Sequence, residues 1–319
     1  MSLIEQAAKR LAELRAAGAE LPDSLAEGEA TAVRSDIAPT PEAVVRALDG
    51  RAPAATPEHD AAAHRGTRVP VARGPLRRVE INLAQLAKRG FITPEAATSQ
   101  TADEFRVIKR PIIRNAIGQE GSNVKNRNLV MVTSALPAEG KTFTAVNLAM
   151  SVAMELDSTV LLVDGDVAHP SLPTLLGVPN APGLLDLLTR DDLDVGDALI
   201  RTNVEKLTVL PAGTHQRRAT ELLASEQMAN LLRELASRYS DRIIIFDSPP
   251  LLATTEARVL ATHMDQIIMV VAADTTTQHT VSQALATIEQ CEIVLMMLNK
   301  ASRTDVGTYY GYYAVDEAT

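Results

Sequence analysis

The feature that most constrains the fold is the loop SALPAEGKT at residues 134–142. It follows the apolar run 129–133 and precedes a helical pattern at 142–155. A strand, a loop ending in Gly-Lys-Thr and a helix form, in this order, a phosphate-binding loop whose backbone N–H groups cradle the phosphates of a nucleotide. In that setting Lys141 neutralises phosphate charge and the Thr142 hydroxyl binds Mg²⁺.

The loop departs from the usual pattern at two positions. Ala135 stands at the first position, which is usually glycine, and Ala138 stands where glycine is common. Alanine tolerates a positive φ poorly. The alternative interpretation is a chance Gly-Lys-Thr after a strand.

Aspartates at the ends of two further apolar runs weigh against chance. Asp164 and Asp166 follow the run 161–163, and Asp247 follows the run 243–246. Mg²⁺ prefers hard oxygen ligands, and a buried strand holds such a ligand rigidly beside the phosphates. Each aspartate alone is more commonly a helix N-cap or a turn residue. Three of them, downstream of a phosphate-binding loop, predict a site for a nucleotide and Mg²⁺.

The rest of the C-terminal part alternates between strands and helices. The apolar runs fall at 129–133, 159–163, 207–210, 243–246, 266–271 and 293–298, with helical patterns such as 219–239 between them. Strands of unbroken Val, Ile, Leu and Met are buried on both faces. We therefore expect an α/β fold with a mostly parallel sheet flanked by helices on both faces, and a ligand at the carboxyl ends of its strands.

Two segments precede this domain, which we place at residues 76–319. Residues 1–17 have the spacing of an amphipathic helix. Residues 18–75 contain seven prolines, many alanines and few large apolar side chains, which predicts a mostly disordered linker. Five arginines lie between His64 and Arg78. We interpret them as part of a solvated linker, and the alternative is a patch for anionic lipid or an acidic partner.

Composition excludes several classes of protein. Cys291 is the only cysteine, so neither an internal disulfide framework nor a multi-cysteine metal site is expected. The net charge of −9 argues against general affinity for nucleic acid. No run of 18 uncharged apolar residues is present, so we expect no membrane span, and Glu5 and Glu13 argue against a signal peptide.

The tyrosines are concentrated at the C-terminus. Of five in the chain, Tyr309, Tyr310, Tyr312 and Tyr313 lie within the last eleven residues. Aromatic side chains usually concentrate in cores, whereas a chain end is where order is least expected. A flexible tyrosine-rich tail, at about 305–319, is typical of a substrate segment. The alternative is a small aromatic docking patch that packs on a partner.

With these motifs the chain resembles the bacterial tyrosine kinases (BY-kinases), and within them the tyrosine autokinases associated with exosortase-A and exopolysaccharide gene clusters. The resemblance covers residues 76–319 and the opening helix. Residues 135–142, 161–170 and 243–250 match the Walker A, A′ and B motifs of that family. It implies a cytoplasmic P-loop protein that uses ATP and Mg²⁺ to phosphorylate its own tail tyrosines and that regulates exopolysaccharide synthesis or export.

The resemblance also implies roles for individual residues. Asp164 would be the general base and Asp166 would lie in the metal shell, or the two would exchange roles, and Asp247 would hold the metal with Thr142. Asn299 would read the adenine edge, unless it is a strand-terminal turn residue. The residues expected to contact the nucleotide in the loop are Ala138, Glu139, Gly140, Lys141, Thr142 and Phe143. Many members carry an arginine in the region where Ala168 and His169 stand here, which puts that arginine contact in doubt.

Assembly and partners are implied in the same way. The family builds a ring of subunits through a Glu-Tyr-Arg helix motif, and Glu104, Phe105 and Arg106 match it with Phe for Tyr. We therefore expect a homo-oligomer. The implied partners are a separate membrane polypeptide of the chain-length (co-polymerase) type, which activates the kinase and holds it at the inner membrane, and a protein-tyrosine phosphatase, with no nucleic acid.

Two rival functions share this fold. A partition or septum-positioning ATPase would carry a signature lysine where Leu136 stands, so its absence argues against that class. A nucleotide-binding adaptor without catalysis is suggested by Ala135 and Ala138. The tyrosine tail favours the kinase, because either rival would leave it unexplained.

Overall fold

The structure, a computed structural model of the chain, describes residues 77–117, 127–238 and 242–301. The predicted N-terminal helix, the linker, Tyr239 and the tail tyrosines lie outside these ranges, so those expectations stay predictions. Within these ranges no helix combines the length and apolar character needed to cross a bilayer.

The described residues form one eight-stranded sheet with helices around it. The strands are β1 (Arg77–Val79), β2 (Leu129–Ser134), β3 (Thr159–Asp164), β4 (Ile200–Thr202), β5 (Leu207–Leu210), β6 (Arg242–Asp247), β7 (Gln266–Ala272) and β8 (Ile293–Asn299). The helices are α1 (Leu83–Lys88), α2 (Gln100–Ile117), α3 (Lys141–Ala153), α4 (Leu172–Leu176), α5 (Leu184–Thr189), α6 (Val195–Ala198), α7 (Ala219–Leu223), α8 (Glu226–Arg238), α9 (Thr255–Ala261) and α10 (Gln278–Leu285), with a 3₁₀ turn at Pro94–Ala96.

The sheet is mostly parallel, as expected. Its strand order is β1-β4-β5-β3-β6-β2-β7-β8, and every neighbouring pair is parallel except β4 with β5. The three-residue strands β1 and β4 were not predicted. Each contains a central arginine that is exposed, Arg78 or Arg201, so neither shows an apolar run.

Helices cover both faces of the sheet, which explains why its central strands lack an apolar–polar alternation. Along β2, Val130 and Val132 pack into one hydrophobic cluster with α3, while Leu129 and Met131 pack into a second cluster on the opposite face. All six residues of β2 are buried. A strand buried on both faces must be apolar throughout.

The predicted helical stretch 219–239 is two helices. It breaks at Ala224 and Ser225, between α7 and α8. The Ser225 hydroxyl accepts the N–H of Met228 at 3.2 Å and so caps the start of α8. Serine favours this position because it satisfies an N–H group that the helix leaves free.

The six predicted strands are correct to within one residue at each end, and their extra residues are informative. The strands continue beyond the last apolar residue into a polar one, at Ser134, Asp164, Asp247 and Asn299. These polar side chains are therefore held by the sheet rather than by a loop. Because β3, β6 and β2 are neighbours, the first three meet at one carboxyl edge.

Candidate active site

The phosphate-binding loop connects β2 to α3 and contains two left-handed residues. Gly140, the N-cap of α3, has φ 102°, and a Cβ there would lie 2.0 Å from the side-chain nitrogen of Asn299. Glycine is therefore required at 140 by both conformation and space. Ala138 has φ 64°, a conformation that costs an L-residue roughly 1–2 kcal/mol. The alanine found where glycine is common is accordingly accommodated, at a cost in backbone strain.

Glu139 anchors this loop through its side chain. The residue is 2% exposed, and its carboxylate accepts the N–H of Leu136 at 2.6 Å and that of Ala272 at 3.2 Å. The hydroxyl of Thr276 donates to the same carboxylate. The side chain thus joins the loop to the end of β7, and any contact of Glu139 with a nucleotide would come from its main chain.

The end of β8 holds the other side of the loop. The Asn299 side-chain amide donates to the Glu139 carbonyl at 2.8 Å, and Lys300 Nζ donates to the Ala138 carbonyl at 2.7 Å. Asn299 was singled out in the sequence as a reader of adenine or a strand-terminal turn residue. The structure places it at the end of β8 against the loop, and its role towards adenine stays a prediction. Lys300 was missed, since no motif marks it.

Asp164 and Asp247 form the buried floor of the site. They are paired in register on β3 and β6 and are 0% and 1% exposed. Burial, with the charge of Asp247 adding to it, raises the pKa of Asp164 to about 8. Burial raises the pKa of Asp247 to about 7, against the opposing hydrogen bond from Thr142 and charge of Lys141. Lys141 and Thr142 are therefore close enough to Asp247 to affect its ionisation, while their roles towards phosphate and Mg²⁺ stay predictions.

Asp166 lies nearer to solvent than these two. Its side chain is 20% exposed and accepts the backbone N–H of His169 at 3.1 Å. Burial still raises the pKa of Asp166, and His169 and Lys141 oppose that rise. The exposed His169 ring, with Nδ1 4.0 Å from Asp166, occupies the region where an arginine is common in the family.

Ser171 belongs to the site and was not predicted. Its hydroxyl lies 3.2 Å from the Thr142 hydroxyl and donates to Asp247 Oδ2 at 3.4 Å. A serine that begins a short helix carries no sequence signature of catalysis, so only the contacts identify it.

The residues at this edge fit a Mg²⁺ ion. The Oδ1 atoms of Asp164 and Asp247 are buried without a hydrogen-bond partner among the described residues. The Asp247 carboxyl group lies by the Thr142 hydroxyl, and a cation would relieve the repulsion between the two carboxyl groups. Among the residues described, no cluster of three or more His, Cys, Asp or Glu side chains forms a complete metal site. An ion here would thus take its remaining ligands from water and phosphate, as Mg²⁺ commonly does.

Phe143 is turned away from this edge. Its ring packs against the hydrophobic cluster beneath α3, with its centroid 5.1 Å from that of Phe91. Any contact of Phe143 with a nucleotide would therefore come from its main chain.

The predicted assembly motif lies on α2. Phe105 is buried in the core, while Glu104 and Arg106 are exposed beside it. Arg106 pairs with Asp103 and donates to the carbonyl of Ala97, so it has partners within its own chain. The subunit contact stays a prediction.

Comparisons with known proteins identify relatives of this chain. A family model described as an AAA domain matches residues 138–300. The tyrosine-protein kinase YwqD of Bacillus subtilis is 28% identical over 237 residues, which cover 74% of this chain and 96% of YwqD. The tyrosine-protein kinase Wzc of Salmonella typhimurium is 32% identical over 189 residues, 58% of this chain but 26% of Wzc.

A solved structure shows the same relationship. The kinase domain of the Escherichia coli tyrosine kinase ETK matches with a TM-score of 0.57 and 25% identity, over 74% of this chain and 93% of that domain. These similarities favour the kinase over the ATPase and adaptor alternatives. The chain belongs to the AAA-domain family and, within it, to the bacterial tyrosine kinases.

Proposed function

We propose that this kinase uses ATP and Mg²⁺ to phosphorylate its own tail at Tyr309, Tyr310, Tyr312 and Tyr313. The observation that carries the proposal is the contact between Lys300 and the Ala138 carbonyl, which holds the end of the described chain, just ahead of the tail at about 305–319, at the phosphate-binding loop. Eight residues lead from Ala301 to Tyr309. At full extension they span about 29 Å, which keeps the tyrosines within reach of the same site or of an adjacent subunit.

The site residues divide the work of phosphoryl transfer. Lys141 and the loop N–H groups stabilise the charge that develops on the transferred group. Thr142 and Asp247 would hold the cation, which would supply positive charge to neutralise the phosphates. Because the carboxylates are buried, water is largely excluded from their side of the site, which strengthens these interactions.

The contacts favour Asp166 over Asp164 as the acceptor of the tyrosine proton. A tyrosine hydroxyl, with a pKa of about 10, must come within roughly 3 Å of its acceptor. Asp164 is fully buried, and its Oδ2 already accepts the N–H of Leu172 at 3.1 Å. Asp166 is partly open to solvent. We therefore assign Asp166 as the base and place Asp164 with Asp247 in the metal site, the exchanged form of the roles expected from the family.

The biological setting follows from the resemblance to exopolysaccharide kinases. We place the protein in the cytoplasm, peripheral to the inner membrane through a separate chain-length polypeptide, with a phosphatase that reverses its action. Each phosphate adds about −1.5 to −2 charge. Several phosphates beside Asp316 and Glu317 would repel acidic surfaces and drive a homo-oligomer apart.

The test replaces all four tail tyrosines by phenylalanine, which keeps the rings and removes the nucleophilic hydroxyls. Intact mass after incubation with Mg·ATP measures phosphate added to the protein. We expect several additions in the wild type and almost none in the variant, with nucleotide affinity unchanged. Tyr239→Phe is the matched control and should still accept phosphate on its tail. Phosphate that persists on Tyr239 in the tail variant would show that the tail is not the substrate, and a loss of partner binding as the only change would return the function to an ATPase or an adaptor.

A further inference from the structure

Ser171 stands at the N-cap of α4, yet its hydroxyl makes no capping hydrogen bond. A serine at this position usually accepts an N–H from the second or third helical residue. Here the second residue is Pro173, which has no N–H to donate, and the hydroxyl does not accept the N–H of the third, Thr174. The hydroxyl turns instead towards Thr142 and Asp247.

The start of α4 is satisfied by a different side chain. Asp164 Oδ2 accepts the N–H of Leu172, the first helical residue, at 3.1 Å. Asp164, at the end of β3, thus takes the place of the capping side chain. The hydroxyl of Ser171 contacts Thr142 and Asp247 instead. This exchange fixes Ser171 relative to both buried aspartates.

The contacts of Ser171 also orient Asp247. Hydrogen bonds from the Thr142 and Ser171 hydroxyls fall on this carboxyl group, that of Ser171 on Oδ2. The other oxygen, Oδ1, has no partner among the described residues. A carboxyl group held on one oxygen has its second oxygen fixed in direction, and outer contacts of this kind tune metal affinity.

We propose that Ser171 is a positioning residue of the divalent-cation site, which holds Asp247 and Thr142 in the arrangement that receives the cation with a nucleotide. The inference rests on the proposed use of Mg·ATP. If Ser171 were only structural, its substitution would lower the stability of the fold and would weaken nucleotide binding equally with and without the cation.

The experiment measures ADP binding to the full chain by calorimetry across a range of Mg²⁺ concentrations. For Ser171→Ala we expect the Mg²⁺ concentration at half-maximal binding to rise about 10-fold, as for other outer contacts of metal sites. ADP affinity without Mg²⁺ should stay within about twofold of wild type, since the phosphate loop is unchanged. Ser171→Thr keeps a hydroxyl and should therefore restore the wild-type Mg²⁺ dependence. Ser171→Val has the shape of the threonine variant without its hydroxyl and should not restore it.

The matched control is Ser225→Ala. Ser225 is also an N-cap serine, but its hydroxyl accepts the N–H of Met228 in the ordinary way. This control should lower the unfolding temperature and leave the Mg²⁺ dependence unchanged.

Two results would overturn the assignment of Ser171 alone: wild-type Mg²⁺ dependence in Ser171→Val, or a loss of ADP affinity that is the same with and without Mg²⁺. If wild-type protein itself binds ADP with no response to Mg²⁺, the proposed function fails together with the inference.

Discussion

Asp164 and Asp247 lie opposite each other in register on β3 and β6, which puts two buried carboxyl groups on the floor of one site. Ordinary carboxyl groups ionise near pH 4. Burial raises the pKa of Asp164 to about 8 and that of Asp247 to about 7. The folded protein therefore disfavours the ionised carboxylates that bind a metal ion, and a cation at this edge would stabilise them.

The raised pKa values of Asp164 and Asp247 predict how the stability of the protein depends on pH without nucleotide or Mg²⁺. Because the folded pKa values exceed the unfolded value, the folded state keeps protons that the unfolded chain releases. The two protonated carboxyl groups therefore contribute fully to the free energy of unfolding below pH 4. This contribution is lost as the pH rises through 7 to 8. We expect Asp247→Asn to be more stable than wild type at pH 8 by on the order of 2 kcal/mol. Urea unfolding at pH 5 and pH 8 measures this, and equal pH dependence in both proteins would contradict it.

Lys141 and Thr142 are predicted to be essential for activity but not for folding. Both face the phosphate site at the start of α3, and Lys141→Ala or Thr142→Ala should abolish Mg·ATP-dependent phosphorylation. Circular dichroism should show that the variants remain folded. Lys88→Ala, an exposed lysine on α1, is the control and should retain full activity. Undiminished turnover in folded Lys141→Ala would remove the assignment of the phosphate loop.

The roles of Asp164 and Asp166 are separable by paired substitutions. Asp166→Asn should bind Mg·ATP normally and slow phosphotyrosine formation by about 10²-fold or more, since it loses the proton acceptor. Asp164→Asn should instead weaken Mg²⁺-dependent nucleotide binding. Quench-flow phosphorylation and calorimetry on both variants measure the two effects. The opposite pattern would restore Asp164 as the base.

We predict a subunit contact at Glu104 and Arg106, which are exposed on α2. Glu104→Ala/Arg106→Ala removes both charges above the buried Phe105, so we expect a smaller particle by light scattering under conditions where unphosphorylated wild type self-associates. The exposed ion pair of Arg190 with Asp192 lies on another element and provides the control, Arg190→Ala/Asp192→Ala. Identical particle sizes for all three proteins would exclude a ring built through α2.

Much of the fold could be predicted because its central strands are long and apolar. The ends of these strands follow from composition, and so do Asp164 and Asp247, which terminate two of them. The three-residue strands β1 and β4 could not be predicted, since Arg78 and Arg201 interrupt their pattern. The two strands pair with each other across more than 120 residues of the chain, with Arg78 opposite Arg201.

The missed parts of the site share this dependence on distant residues. Ser171 follows β3 and is defined by contacts with Thr142, which follows β2, and with Asp247, which ends β6. The side chain of Glu139 accepts the hydroxyl of Thr276, which lies beyond the end of β7 and far from Glu139 in the chain. Local patterns identify which residue types carry the chemistry, whereas the supporting contacts arise only when the sheet is assembled.

The buried carboxylate of Glu139 has a kinetic consequence. Ordering a backbone residue costs roughly 1–2 kcal/mol, and here that cost falls on folding, because Glu139 accepts hydrogen bonds from Leu136 within the loop and from Ala272 and Thr276 outside it. A nucleotide therefore meets a preshaped cradle and need not wait for the loop to rearrange. Nucleotide association should proceed in a single phase whose rate grows linearly with nucleotide concentration. In Glu139→Ala we expect an additional slower phase that saturates with nucleotide concentration, because rearrangement of the loop becomes rate-limiting.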